Sequence, residues 1–582
     1  MMLTKTQSHP ARTLWTEPDR MPDAEKGLVR ELRVHPLTAR LLCNRGLTTP
    51  AEAEAFLRPA LSQLLDPFGL PDMDKAAHRI KDALDNQETI FIYGDYDVDG
   101  VTSTAVYVRA LTALGAKLEY RVPHRKRDGY DLKPGSIDYA HERGATLVIT
   151  SDCGIQAREA IEHANSLGMT VIVTDHHEPG ETLPPAYAVV NPHRHDSTYK
   201  FPMLAGVGVA FKTMQAVVRL VHPTHEGAFI QKFLDLVACG TVADVMPLIG
   251  ENRVFASFGL KNLATTRKVG LRALLEGAGI NTQKPLTAET VGFGIGPRIN
   301  AVGRLDDAAT ALDLLLTGDP EEARNLVEKM NAFNVERQVA QKRILEEAKR
   351  IVESRDLDKT RVLVVASPGW NAGVVGIVAG KLVEAYGRPA IVIGVNDEET
   401  HGKGSARSIK GFDMFAGIQL CRALLQSCGG HEMAAGLSLT MDNLDAFEQA
   451  INAHAAATMT DDDFIPKLAH DGLIDPSALS LSLLEEWEQL APFGNANPEP
   501  KFASTDLLIC EAKRMGKDAS HLKMKLRAEA MDPTDCIAWG QGDWADTSKP
   551  GDYLEAVFTP QINEWNGRRL LQFNLKDLRT RL

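Results

Sequence analysis

Three short runs of β-branched and apolar residues, Thr89 to Ile92, Thr146 to Thr150 and Thr170 to Thr174, each lead into an acidic cluster, and each is followed by residues at helical spacing. That alternation admits few folds. Buried parallel strands with helical crossovers form an α/β sheet, and the loops at the strands' carboxyl ends converge on one edge, where ligands bind. The clusters delivered there are Tyr93-Gly94-Asp95-Tyr96-Asp97-Val98-Asp99-Gly100, Ser151-Asp152-Cys153-Gly154 and Asp175-His176-His177. A fourth, Val242-Ala243-Asp244, follows a helical region around Ala228 to Ala238. One Asp after a strand is ordinarily a helix cap or a turn residue. Four acid-rich clusters are not explained as caps, because close-packed carboxylates are costly unless a cation neutralises them. An oxygen-rich set with one or two imidazoles suits manganese or magnesium.

A chain of 582 residues exceeds what one core serves, so two to four domains are expected. The seven cysteines are scattered without a CxxC pair, which argues against structural zinc or a disulfide scaffold and for a reducing, cytoplasmic setting. No charged-then-apolar leader and no membrane-spanning apolar run is found, so neither export nor a membrane anchor is expected. A net charge of −13 runs against phosphate binding at first sight. Basic residues can act locally, and His124-Arg125-Lys126-Arg127 is one such group.

The pattern divides the chain into five parts. Residues 1–70 read as a helical extension packed on the catalytic domain, and 71–318 as the α/β domain that carries the acidic clusters. Residues 319–357 are nearly free of Gly and Pro after Pro320, with apolar residues at helical intervals, and predict a long helix between two lobes. A second α/β unit spans 358–460. The segment 461–582 changes character: His521, Lys523, Lys525 and Arg527 alternate with Leu522, Met524 and Leu526 along a strand, and Asn566-Gly567 marks a hairpin. Short strands with aromatic residues suit an OB-like β-barrel that tracks a single nucleic-acid strand.

The ordered set GDYDVDG, SDCG, DHH and VAD resembles the four motifs of the DHH phosphoesterase superfamily. Within it the chain resembles the RecJ family of single-strand-specific 5′-to-3′ DNA exonucleases along nearly its whole length. The segments Gly296-Pro297-Arg298-Ile299-Asn300-Ala301-Val302-Gly303-Arg304, Gly404-Ser405-Ala406-Arg407-Ser408, Gly429-Gly430-His431-Glu432-Met433-Ala434-Ala435-Gly436 and Pro492-Phe493-Gly494 with Asn497-Pro498-Glu499-Pro500 carry that likeness. The resemblance implies a DHH catalytic domain, a DHH-associated substrate-binding domain and two Mn2+ or Mg2+ ions. It implies Asp97, Asp99, Asp152, His176 and Asp244 as ligands, with Asp95 either a further ligand or an acceptor that orients the others. His177 would act on the scissile phosphate. Tyr93 stands where phosphatase relatives place a ligating His.

Substrate groups are expected at Ser405, Arg407, Gly429, Gly430 and His431, where glycines let backbone amides approach a phosphate and a nearby helix start would add its dipole. Arg125, Arg298 and Arg304 are further candidates, and Lys523, Lys525 and Arg527 would hold polymer. The implied partners are single-stranded DNA, a single-strand-binding protein and a helicase, with the protein itself a monomer. Two other readings fit a DHH core: a phosphodiesterase of short oligonucleotides or cyclic dinucleotides, and a non-catalytic replication scaffold. The extra C-terminal region argues against the first and the intact acids against the second.

Overall fold

The structure is a computed structural model that describes residues 13–580 except 125, 126, 128 and 130. It divides into two compact units, one of Glu17–Asn331 with Ala469–Leu582 and one of Ala332–Leu468 with the strand Leu14–Thr16.

At the centre of the first unit is a parallel sheet of five strands in the order Lys117–Arg121, Thr89–Gly94, Ala145–Ser151, Thr170–Thr174, Ala188–Val190. Phe91, Tyr93, Val148, Val171 and Val173 pack into one core with Ile137, Ala140, Ile161 and Ala164 of the helices Pro134–Glu142 and Arg158–Ser166. The helices Val98–Ala113 and Gly206–Val221 also pack against the sheet. Burial on both faces is why the inner strands read as continuous apolar runs. The chain steps from Thr89–Gly94 outward to Lys117–Arg121, then crosses to Ala145–Ser151 on the other side. The crevice between those two connections is the topological switch point of the sheet.

Three helices, Pro22–Leu32, Pro36–Asn44 and Pro50–Leu57, each open with proline, whose fixed φ and missing N–H suit a first helical position. The N-terminal part meets residues 71–318, as Arg253 Nε donates to the Phe56 carbonyl at 2.7 Å and Leu65 N to Glu251 Oε1 at 2.8 Å, and its helices have a second partner that was not expected. Leu28, Leu41, Leu42 and Phe56 share one core with Trp487, Leu490, Phe502, Leu522, Phe558 and Phe573 of the C-terminal region, and Trp487 Nε1 donates to Thr38 Oγ1 at 3.0 Å. Helices this short bury too little alone, and they complete the hydrophobic core of the barrel region.

That region is a closed barrel in the order Phe502–Met515, His521–Arg527, Thr534–Ala538, Arg568–Thr580, Tyr553–Trp565. The parallel pairing of Thr534–Ala538 with Arg568–Thr580 closes it and removes free edges. Asn566 and Gly567 adopt φ of 51° and 74°, the left-handed pair that a two-residue hairpin turn needs. Leu522, Met524 and Leu526 point inward, leaving Lys523, Lys525 and Arg527 on the outer face.

The second unit carries a mixed sheet in the order Ser427–His431, Ala434–Thr440, His401–Arg407, Ala390–Val395, Leu363–Pro368, in which only the last two strands pair in parallel. Leu363, Val365, Ala390 and Val392 face Val375, Val378 and Leu382 of the helix Val375–Tyr386. Val364, Ile391, Ile393 and Leu437 face the helices Met414–Leu420 and Leu444–Thr458. The long helix runs Pro320–Glu353, and the boundary between the units falls within it, at Asn331 and Ala332. No helix among the described residues is long and apolar enough to cross a membrane.

Candidate metal centre and anion-binding face

The switch-point crevice gathers the acidic clusters. Asp95 and Asp97 follow Thr89–Gly94, and Asp97 caps the helix Val98–Ala113 by accepting from Gly100 N at 3.0 Å. Asp97 is therefore a helix cap as well as a member of an acidic group. Asp152 follows Ala145–Ser151 with φ 63°, a left-handed conformation that costs an L-residue energy and that Asp tolerates better than most. Asp244 caps the carboxyl end of the helix Glu226–Ala243.

Three groups of donor atoms result, each with its members within 4.8 Å of one another: Asp95, Asp97 and Asp152; Asp152, His176 and His177; Asp99, His176 and Asp244. His176 Nε2 lies 3.1 Å from Asp152 Oδ1, 3.7 Å from Asp244 Oδ2 and 3.9 Å from Asp99 Oδ2. Asp152 Oδ1 is buried and accepts no hydrogen bond. A buried carboxylate oxygen of this kind fits a cation, and the oxygen-rich donor set with one imidazole fits Mn2+ or Mg2+.

The electrostatics carry the same demand. Burial, then the charges of Asp99, Asp97, Asp244 and Asp95, push the Asp152 carboxyl well above the usual carboxylate range. Burial and the charge of Asp97 raise Asp99 to about 7, and burial with Asp99 and Asp97 raises Asp244 to about 8. The two histidines separate in opposite directions. Burial and the neighbouring His177 lower His176 to about 4, so it is neutral at physiological pH with a lone pair to give. Burial also opposes charge on His177, but the hydrogen bond and charge of Asp175, with Asp244 and Asp95, prevail and raise it to about 9.

Asp175, to which the sequence assigns no separate role, organises this edge of the sheet. Its Oδ1 accepts from His176 N (2.7 Å), His177 N (3.1 Å) and His177 Nδ1 (2.7 Å), while Oδ2 accepts from Ile155 N (3.0 Å) in the loop after Asp152. Asp99, expected as a ligand, lies in the third donor group and is also held by backbone amides. Its two oxygens accept from the first amides of the helix Gly206–Val221, Gly206 N at 2.6 Å and Val207 N at 2.9 Å, where a helix N-terminus favours negative charge. Gly206 also lets this helix start close to Asp152, because a Cβ there would collide with the Asp152 carboxylate. Tyr93 is fully buried and its hydroxyl donates to the Asp131 carbonyl at 3.3 Å.

A cavity of about 280 Å³ adjoins the centre, lined by Asp95, Tyr96, Asp97, His177, Asn300, Gly303 and Arg304. The last three come from the helix Gly296–Leu305, which a π-helical turn, Thr290–Ile295, introduces. Asn300 belongs to the same sequence segment as Arg298 and Arg304, and nothing in the spacing distinguishes it. Arg298 is turned away from this use, since its guanidinium donates to Asn331 Oδ1 and the Gly294 carbonyl. Arg125 lies outside the described residues, and Arg127 pairs with Asp307 at 3.6 Å.

The second unit holds the other expected group. Gly429 to His431 belong to the edge strand Ser427–His431 rather than to a loop that opens a helix. Register aligns Arg407, Ala434 and His431 in one row and Ser405, Gly436 and Gly429 two residues along, so all point to the same face. A Cβ on Gly429 would meet nothing within 4 Å, so the glycines leave that face open. Arg407 Nη1 donates to Ser405 Oγ at 3.0 Å. Both stand over the first turn of Val375–Tyr386, where a Cβ on Gly376 would lie 2.8 Å from Ser405 Oγ and 3.3 Å from Arg407 Nη2. On the barrel, Lys523 Nζ lies 3.7 Å from Asp535 Oδ2, Lys525 and Arg527 are exposed, and the neighbouring Trp539 is 57% exposed against the His521 ring.

Comparison with known proteins matches three parts of the chain to family models: residues 89–241 to the DHH family, N-terminal domain, residues 359–457 to the DHHA1 domain, and residues 470–577 to the RecJ OB domain. The single-stranded-DNA-specific exonuclease RecJ of Bacillus subtilis (strain 168) is 40% identical over 555 residues, covering 95% of this chain and 69% of its own. That of Escherichia coli (strain K12) is 35% identical over 564 residues, covering 93% and 96%. Crystal structures of RecJ from Thermus thermophilus superpose with TM-scores of 0.83 in complex with Mn2+ and 0.78 in complex with Mg2+, at 32% and 30% identity over 98% of this chain and 80% and 79% of theirs. With identity at this level along almost all of this chain, and all three domain models in order, the chain belongs to the RecJ family of single-stranded-DNA-specific exonucleases.

Proposed function

We propose that this protein is a divalent-metal-dependent exonuclease that hydrolyses single-stranded DNA from its 5′ end to mononucleotides, in recombination and repair. The observation that carries the reading is the convergence of three donor groups, sharing Asp152 and His176, at the switch point beside an open cavity. Asp95, Asp97, Asp99, Asp152, His176 and Asp244 are the ligands we assign, and Asp99 also ties the helix Gly206–Val221 to them through its amides. Two divalent ions, when bound in such a set, activate water near neutral pH and neutralise the charge that builds on the phosphorane oxygens.

The chain's own residues supply the rest. His176, held neutral by burial, keeps its lone pair for coordination. His177, held protonated by Asp175, donates a hydrogen bond to a phosphate oxygen in the cavity. Arg304 and Asn300 line the same cavity and orient the scissile phosphodiester. Arg407, Ser405 and His431 grip the terminal 5′ phosphate over the open glycine face, and the outer face of the barrel carries polymer on Lys523, Lys525 and Arg527. The barrel supports a polymer substrate over a dinucleotide. A single-strand-binding protein and a helicase are the partners this reading implies.

Digestion of end-labelled single-stranded and duplex DNA with Mn2+, Mg2+ or a chelator tests it. Mononucleotides released from the single strand alone, with either metal and not with chelator, are expected. Metal-independent cleavage, or equal attack on blunt duplex, would overturn it.

A further inference from the structure

The turn after Asp244 is built unusually. Met246 N donates to the Thr241 carbonyl at 3.2 Å and Val245 N to the Val242 carbonyl at 3.1 Å, the paired bonds of a Schellman helix end, whose left-handed residue is commonly glycine. Here that residue is Val245, with φ 57°. A β-branched side chain in the left-handed region is strained and persists only where its surroundings impose it.

The imposing group comes from 250 residues away. Asn495 Nδ2 donates to the Val245 carbonyl at 2.7 Å, and the Asn495 carbonyl accepts from Leu248 N at 2.9 Å. Asn495 is itself rigidly held in the turn Gly494 to Asn497, closed by two backbone hydrogen bonds of 2.8 and 3.1 Å. The fully buried Asn497 donates to the Leu490 and Pro492 carbonyls and accepts from Arg45 Nε. Buried Arg253 fastens the carbonyls of Gln489, Leu490 and Ala491. The turn presses on the loop closely enough that a Cβ on Gly494 would lie 2.7 Å from Leu248 Cδ1.

The geometry points to Asn495 as a positioning residue for Asp244: its carboxamide fixes the strained turn and thereby aims the Asp244 carboxylate towards His176. This rests on the reading of Asp244 as a metal ligand. The group Asp95, Asp97 and Asp152 contains neither Asp244 nor any residue of the clamp, so the clamp governs one metal position and leaves the other alone. Residues that orient a ligand typically contribute about ten- to a hundredfold in metal affinity.

Calorimetric titration of the full chain with Mn2+ tests this, alongside kcat and KM on single-stranded DNA. Asn495→Ala is expected to weaken one of two Mn2+ sites about tenfold and to lower kcat with little change in KM. Asn495→Asp, which keeps the size and loses the donor, should do the same. Adding Val245→Gly to Asn495→Ala should restore both within about threefold, because glycine adopts the left-handed turn unaided. Parent-like Mn2+ binding in both Asn495 variants would overturn the proposal, as would a loss that Val245→Gly does not repair. Parent-like Mn2+ binding in Asp244→Asn would instead sink the ligand reading beneath it, so the two failures are separable.

Discussion

Asp152 combines a left-handed backbone, complete burial and four carboxylate neighbours, each a cost that a bound cation offsets. Asn keeps the shape and tolerates the backbone better than Ala, so Asp152→Asn is the informative change. Turnover should fall about a thousandfold or more, while melting in chelator rises, because the cost of burying an ionisable carboxyl among four others has gone. Parent-like activity at saturating Mn2+ would remove Asp152 from the centre. The raised carboxyl values of Asp99 and Asp244 also set a pH dependence. A carboxyl raised in the folded state contributes stability fully present below its unfolded value, and that contribution is lost as pH rises through about 7 to 8. His177 acts in the same sense up to about 9, while His176 opposes it below its unfolded value. Metal-free protein should therefore lose stability between about pH 6 and about pH 8.5, and Mn2+ should raise Tm by roughly a few degrees more at the upper pH. Equal Mn2+ shifts at both would contradict this. The Asp and His positions were legible because acid clusters are rare in sequence. Asp99's amide partners were not, since they lie on a helix more than a hundred residues away and sequence spacing does not carry that contact.

The same distinction holds for elements. Thr89–Gly94, Ala145–Ser151 and Thr170–Thr174 were legible because burial on both faces forces apolar runs. Lys117–Arg121 was not, because an edge strand with Lys, Glu and Arg at alternate positions carries little apolar signal, and Ala188–Val190 has too few residues to show a period. The barrel strand His521–Arg527 was plain, since one inner and one outer face impose strict alternation. The N-terminal helices were legible as helices and not as partners of the barrel, because that packing joins residues some 450 apart. If the outer barrel face carries polymer, replacing Lys523, Lys525 and Arg527 with Ala should weaken binding of long single strands. The slope of log affinity against log salt should flatten by roughly 0.7 for each phosphate that the variant no longer neutralises. Cleavage of very short oligonucleotides should change little. Equal losses on short and long substrates would give the face a structural role instead.

For the whole molecule, a net charge of −13 coexists with a nucleic-acid substrate because the groups proposed to meet phosphate are confined to a few faces: the cavity beside the metal centre, the open glycine face and the barrel exterior. All three contain residues that the sequence singles out, and strand register adds how those of the open face share one side, since it sets Arg407 and His431 in one row although 24 residues separate them in the chain. A charge-assisted contact to a terminal phosphate contributes about 1.5–3 kcal/mol, so Arg407→Ala should cut use of 5′-phosphorylated ends about tenfold or more. An unchanged rate on such ends would remove Arg407 from the grip. The central claim, metal-dependent degradation of single strands from the 5′ end, is tested most directly by digesting internally labelled single strands blocked by a bulky adduct at one terminus or the other, with Mn2+. The expected result is degradation of the 3′-blocked strand and protection of the 5′-blocked one, with chelator abolishing all cleavage. Degradation that survives the 5′ block and stops with the 3′ block would contradict the account.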